Sequence, residues 1–180
     1  MEWMNELELR LKRKNQVLFS KDSLFLQDLA QLISAQNRRA LVLWALELAQ
    51  QSAFLLSQRY PEDSRPLQAV HFSEEWAAGR LKMPAAQRAI LQVHAMAKEL
   101  SSPEDIALCH AIGQACGVVH TPGHALGYPI YELTAVVRRY GFPDCGPFLL
   151  ERRDFYRNRL LFWQKKEPTL QREWAKFLTL

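Results

Sequence analysis

Five histidines stand in this chain, at positions 71, 94, 110, 120 and 124, and three of them fall inside one stretch, HAIGQACGVVHTPGHALGYPIY, residues 110 to 131. Imidazole exchanges protons near neutral pH and is the commonest side-chain metal ligand, so this clustering invites a chemical reading. At about 100° per residue, a helical wheel puts His110, Gly113, Gln114, Gly117, His120, Thr121 and His124 on one side. Cys109, Ile112, Cys116 and Val119 form a small apolar stripe beside them. The segment therefore offers one face to a core and a second face made of glycines and imidazoles. A face of that kind either receives another helix at close range or lines a polar pocket, to which His94 and Tyr131 could also contribute.

Each chemistry has a competing structural explanation. The spacing H-x9-H-x3-H could gather three imidazoles, but divalent sites usually recruit Asp, Glu or Cys as well, and none stands at ligand spacing here. Pro122 also interrupts the i, i+4 relation between His120 and His124. No metal is expected, and the histidines read as interior groups hydrogen-bonded to carbonyls or to Gln114. Cys109 and Cys116 would lie about 10.5 Å apart along a helix, too far to bridge, and read as small core residues. Gly113, Gly117 and Gly127 lack the strand and the GxxxxGK spacing of a phosphate loop, so no cofactor is expected. Since Gly113 and Gly117 each cost about 1 kcal/mol relative to Ala within a helix, something must approach the backbone there.

The elements that would hold these residues read as helices almost throughout. Only 7 glycines among 180 residues, a wealth of Leu, Ala, Gln, Glu, Lys and Arg, and few alternating β-branched runs predict an all-α fold: a single compact array of about eight helices joined by short loops, spanning residues 1–180. Helices are expected near the N-terminus, over Ser23 to Ser34 with Leu24, Leu26, Leu29, Leu32 and Ile33 inward, and over Asn37 to Gln58. Further helices are expected from Pro66 to Ala78 and from Pro84 to Leu100. Ser101-Ser102-Pro103-Glu104-Asp105 is the clearest helix start, supplying a hydroxyl cap, a proline at the first position and carboxylates where the dipole favours them. Thr121-Pro122 resembles a second cap, and Pro129 predicts a kink or restart before Arg139. Phe148 to Gln164 and Thr169 to Leu178 complete the set.

Charge and composition bound the function. A hydrophobic content of 48% suffices for a substantial core. Three cysteines without a CxxC pair suit a reducing cytosol, and the acidic-then-basic N-terminus has the wrong order for a secretory signal. The most apolar run, Ala40 to Leu56, contains Glu47, Gln50, Gln51 and Ser52 and falls short of the roughly 20 apolar residues that span a bilayer. The expectation is a cytoplasmic protein with no membrane partner. The net charge of +4 is local: residues 151 to 180 carry eight Lys/Arg against four Asp/Glu, while the other 150 residues carry 15 of each. Arg152, Arg153, Arg157, Arg159, Lys165 and Lys166 give Phe148 to Gln164 and its end a basic side, interleaved with Phe155, Tyr156 and Trp163. That mixture suits nucleic acid, an acidic protein partner or an ordinary solvated face.

The central stretch resembles a family. RP at 65 and 66, W-x2-G at 76 to 79, the A-x2-A run ending in His94 and Ala97, HAIGQ, and H-x3-HALG-x2-IY resemble the all-helical immunity proteins of bacterial polymorphic toxin and contact-competition systems. The likeness covers residues 60 to 139 and rests on Arg65, Trp76, Gly79, His94, His110, Gly113, His120, His124, Ala125 and Tyr131 in order. Pro122 and Pro129 depart from the smoother Ala-rich pattern, and the terminal thirds have no counterpart. The resemblance implies a small protein that neutralises a cognate toxin by contact and has no chemistry of its own. Two other readings stay open: a small-molecule or metal-binding protein or enzyme with a pocket of His94, His110, His120 and His124, and nucleic-acid binding through the basic C-terminal helices at 148–178.

Overall fold

The best-specified helix forms as its start signals dictate. In a computed structural model that describes Met1 to Leu180, α6 (Pro103–Gly117) begins at Ser102, whose Oγ accepts the Asp105 backbone N–H at 3.3 Å, with Pro103 at the first position. Its partner, α3 (Arg38–Arg59), is capped by Asn37, whose Oδ1 accepts from the Ala40 N–H at 2.8 Å. Both are apolar on most sides, and both lie in the middle of the molecule. Around them stand α4 (Arg65–Ala77), α5 (Met83–Ala97), α7 (Gly127–Tyr140) and α8 (Gly146–Lys166). α6 is flanked by α5 and α7 and crosses α3, while α8 packs on α3, α7 and α2 (Gln27–Ser34). The N-terminal α1 (Glu2–Lys12) lays Trp3 against Phe25, ring centroids 4.6 Å apart, and buries Leu7. There is no strand, and the eight α-helices build one core from Leu7 to Leu178.

Three expectations need correction. Thr169 to Leu178 is not an α-helix: single 3₁₀ turns at Glu167–Thr169 and Lys176–Leu178 flank an extended run. The reason is non-local, since the Ala175 N–H donates to the Ala77 carbonyl at 2.7 Å, and Arg38 and Arg39 donate to the Phe177 and Leu178 carbonyls. The tail thus straps the start of α3 to the end of α4, and Gly79, at φ +79°, lies 3.3 Å from Ala175 Cα by its would-be Cβ. Second, Ser23 to Ser34 opens with a 3₁₀ turn (Leu24–Leu26) that leaves Leu24 exposed while Leu26 and Leu29 are buried. Third, by length and apolarity α3 could cross a bilayer, although 67% of its most apolar window is buried within the protein. Two of the polar residues that argued against a membrane span have internal partners, Glu47 receiving Arg159 and Trp163 and the Ser52 hydroxyl lying 2.7 Å from Tyr128 Oη, while Gln50 and Gln51 are exposed.

Candidate functional site

The helix carrying His110 ends at Gly117, so the single face drawn on the wheel breaks into three separate contacts. Thr121 is extended and its side chain caps nothing; a 3₁₀ turn, Pro122–His124, follows, and α7 restarts at Gly127 with Pro129 in its first turn. His120, exposed, turns away to stack parallel on Trp76, ring centroids 6.0 Å apart, near Phe177. His124 turns back, and its Nδ1–H donates to Gln114 Oε1 at 3.0 Å. The polar pocket of His94, His110, Gln114, His120 and His124 is therefore not assembled as one wall.

Each glycine instead receives a polar side chain. A Cβ added to Gly113 would lie 2.2 Å from His94 Nε2, so the imidazole of α5 rests on the bare backbone of α6. One on Gly127 would lie 2.4 Å from Gln114 Oε1 and 2.8 Å from Gln114 Cβ, where α6 meets α7. Gly117 faces the His124 ring more loosely, at 3.3 Å. The cost of these glycines to helix propensity is the condition for close approach.

His94 and His110 meet through their Nδ1 atoms at 2.8 Å, with ring centroids 5.1 Å apart. One hydrogen fills that contact, so one ring donates and the other accepts. Burial, then the positive forms of His110 and His124, holds His94 below the ordinary imidazole value, and burial lowers His110. The other edge of His110 lies beside Tyr131, ring centroids 5.3 Å apart, on a groove of about 420 Å³ that also touches Ile106, Val17 and Arg138. Metal-ligand groups of three or more His, Cys, Asp or Glu do not occur. Cys109 and Cys116 are buried, with their thiols pushed up to about 12 mainly by burial, which leaves them unreactive.

Sequence reasoning missed three ionic clusters built from residues distant in the chain. Arg65 forks onto Glu99 (2.9 and 2.6 Å) and onto Asp63, which ties the loop before α4 to the end of α5. Asp105, 4% exposed, binds Arg59 and accepts from Tyr60 Oη at 2.5 Å. Glu132 accepts from Tyr156 Oη and pairs with Arg152 at 3.0 Å, beside a cleft of about 300 Å³; burial raises its carboxyl, against the pull of Arg152. The only advance signal for such clusters was a polar residue set in an apolar helix, as with Glu47.

The Glu132 cluster and Glu47 divide the basic side of α8. Arg152 is bound to Glu132, Arg159 forks onto Glu47 at 3.0 and 2.6 Å, and Arg153 lies over the Phe25 ring at 4.8 Å. Arg157, Lys165 and Lys166 are exposed and make no ion pair.

The site thus lies within an all-α array in which most of its residues meet at contacts between helices. The chain belongs to the Imm-5 like putative immunity protein family, whose model matches residues 31–155, a wider span than residues 60 to 139. That span runs from α2 into the first half of α8, and every motif residue from Arg65 to Tyr131 lies within it. No curated protein and no solved structure matches the chain.

Proposed function

We propose that this protein is a non-enzymatic immunity factor that works in the cytoplasm, holding a cognate toxin by surface contact and thereby blocking it. Membership of the immunity family carries the reading. It is supported by the seam itself, in which His94, His110, Gln114 and His124 are paired with one another. A protein of this kind needs a rigid scaffold and a complementary surface, and an interior fixed by glycine notches and partly buried ion pairs supplies the first.

The test is growth rescue followed by direct binding. The toxin encoded beside this gene is expressed alone and together with this chain, and the purified pair is then run on a sizing column. Restored growth together with a stable complex is expected. Continued killing with the protein present at high level, or rescue accompanied by chemical change of the toxin without a complex, would sink the proposal.

A further inference from the structure

The outer half of α8 presents two adjoining i, i+4 rows, Arg157-Leu161-Lys165 and Asn158-Phe162-Lys166, and all six residues are exposed. Leu161 is 40% and Phe162 42% exposed, and they stand side by side at the centre of that face. The acidic residues of the helix, Glu151 and Asp154, lie earlier in it, so from Arg157 onward the face is uniformly basic.

Phe162 is exposed but not loose. The Arg159 guanidinium lies over its ring at 4.1 Å, and Trp163 meets it edge-on, ring centroids 5.1 Å apart. Arg159 and the Trp163 indole N–H are both fixed on Glu47, the latter at 2.8 Å. Glu47 of α3 thus holds an aromatic side chain ready in solvent through two intermediaries. An anchor already ordered loses little freedom on binding, and buried aromatic anchors carry most of the energy of protein interfaces.

We infer that Phe162 and Leu161 form the anchor of a docking face for an acidic protein surface, with Arg157, Lys165 and Lys166 as its cationic rim. This rests on the toxin-binding reading and assigns that binding to one surface. Charge complementarity selects the occupant: three cations without internal partners surround an apolar centre, which fits a partner with an apolar socket ringed by carboxylates. Nucleic acid fits less well, because Arg152 and Arg159, which would grip phosphate, are occupied within the fold and the centre is apolar. The face also lies beyond residue 155, outside the span described by the family model.

The experiment measures binding of the full chain to the toxin domain found by growth rescue, with 20-base-pair DNA and anionic lipid vesicles as parallel probes. Phe162→Ala is expected to weaken toxin binding about 30-fold or more. The triple change Arg157→Glu, Lys165→Glu, Lys166→Glu should slow association, with the larger effect at low salt. Arg88→Glu with Lys98→Glu, on exposed positions of α5 and just after it, should leave binding unchanged, and circular dichroism melting should show all variants folded. If both α8 variants bind toxin like the parent, this surface is wrong while toxin binding stands. If the parent binds no toxin, both readings fall, and tight binding to DNA or vesicles that the triple variant loses would identify a different occupant and overturn this one.

Discussion

The seam between α5, α6 and α7 and the outer half of α8 hold the two sets of residues that looked most chemical in the sequence, yet they have opposite fates. In the seam, four polar side chains are matched to three glycines and to each other: His94 on Gly113, Gln114 on Gly127, His124 on Gly117, with His94 bonded to His110. On α8, Arg157, Lys165 and Lys166 have no ionic partner within the chain, and Leu161 and Phe162 remain uncovered. The difference teaches that a cluster of reactive residue types marks a site only where its capacity is left unspent. Changes in the seam should therefore act on stability, and changes on outer α8 on association.

The largest effect that would test this division is expected at Gly127. It opens α7, and a Cβ there would stand 2.8 Å from Gln114 Cβ, an atom fixed by the backbone of α6. Gln114 can swing its amide aside but cannot move its Cβ, so the two helices must separate. Gly127→Ala should cost about 2–3 kcal/mol, lowering the melting temperature by about 5–10 °C. Gly117→Ala, whose new methyl meets only the exposed His124 ring at 3.3 Å, should be near neutral and serves as the control. Equal melting temperatures for the two variants would show that the seam is loose.

Gly113→Ala should have a smaller effect, because the obstacle is a ring that can turn out. Doing so sacrifices the bond to His110 and crowds α5, at about 1–3 kcal/mol, while the helix regains about 1 kcal/mol of propensity. A net loss of about 0–2 kcal/mol is expected. The cause is isolated by a double-mutant cycle: His94→Ala should make Gly113→Ala neutral or stabilising. Additive losses in urea unfolding would mean that the ring and the glycine are not matched.

The parts of this architecture legible in sequence were those decided locally. The Ser102 cap, the helix beginning at Asn37 and the break at Pro122 follow from residues within a few positions of one another. The family was legible too, from a resemblance resting on residues such as Arg65, Trp76, His94 and His110, and the family model matches a span that contains them. What was not legible depends on distant partners. The end of α6 at Gly117 sends His120 and His124 off the drawn face, the carbonyl of Ala77 holds the 170–175 run extended, and Glu132 and Glu47 claim arginines more than 20 positions away or, for Arg152, 20. Helical periodicity marks which face a residue occupies; it carries no record of which opposing helix arrives with a carboxylate.

The smallest effect is a pH dependence confined to the seam. His94 and His110 are both held below the usual imidazole value in the fold, so below about pH 6.5 the unfolded chain binds more protons than the folded one. Stability is then fully present above that pH and falls as pH drops, by at most about 1.4 kcal/mol per pH unit for each imidazole. Geometry gives the same sign, because the 2.8 Å contact between Nδ1 atoms accommodates one hydrogen and a doubly protonated pair would point two N–H groups at each other. Glu132 and Glu74, whose carboxyls burial raises, work in the opposite direction and favour the fold on acidification, so the bare pH profile mixes terms of opposite sign. The difference between the parent and a His94→Gln, His110→Gln double variant separates them. Between pH 7 and 5 the parent should lose on the order of 1 kcal/mol more than the double variant in urea unfolding. Parallel profiles would mean that the pair is not coupled to protons.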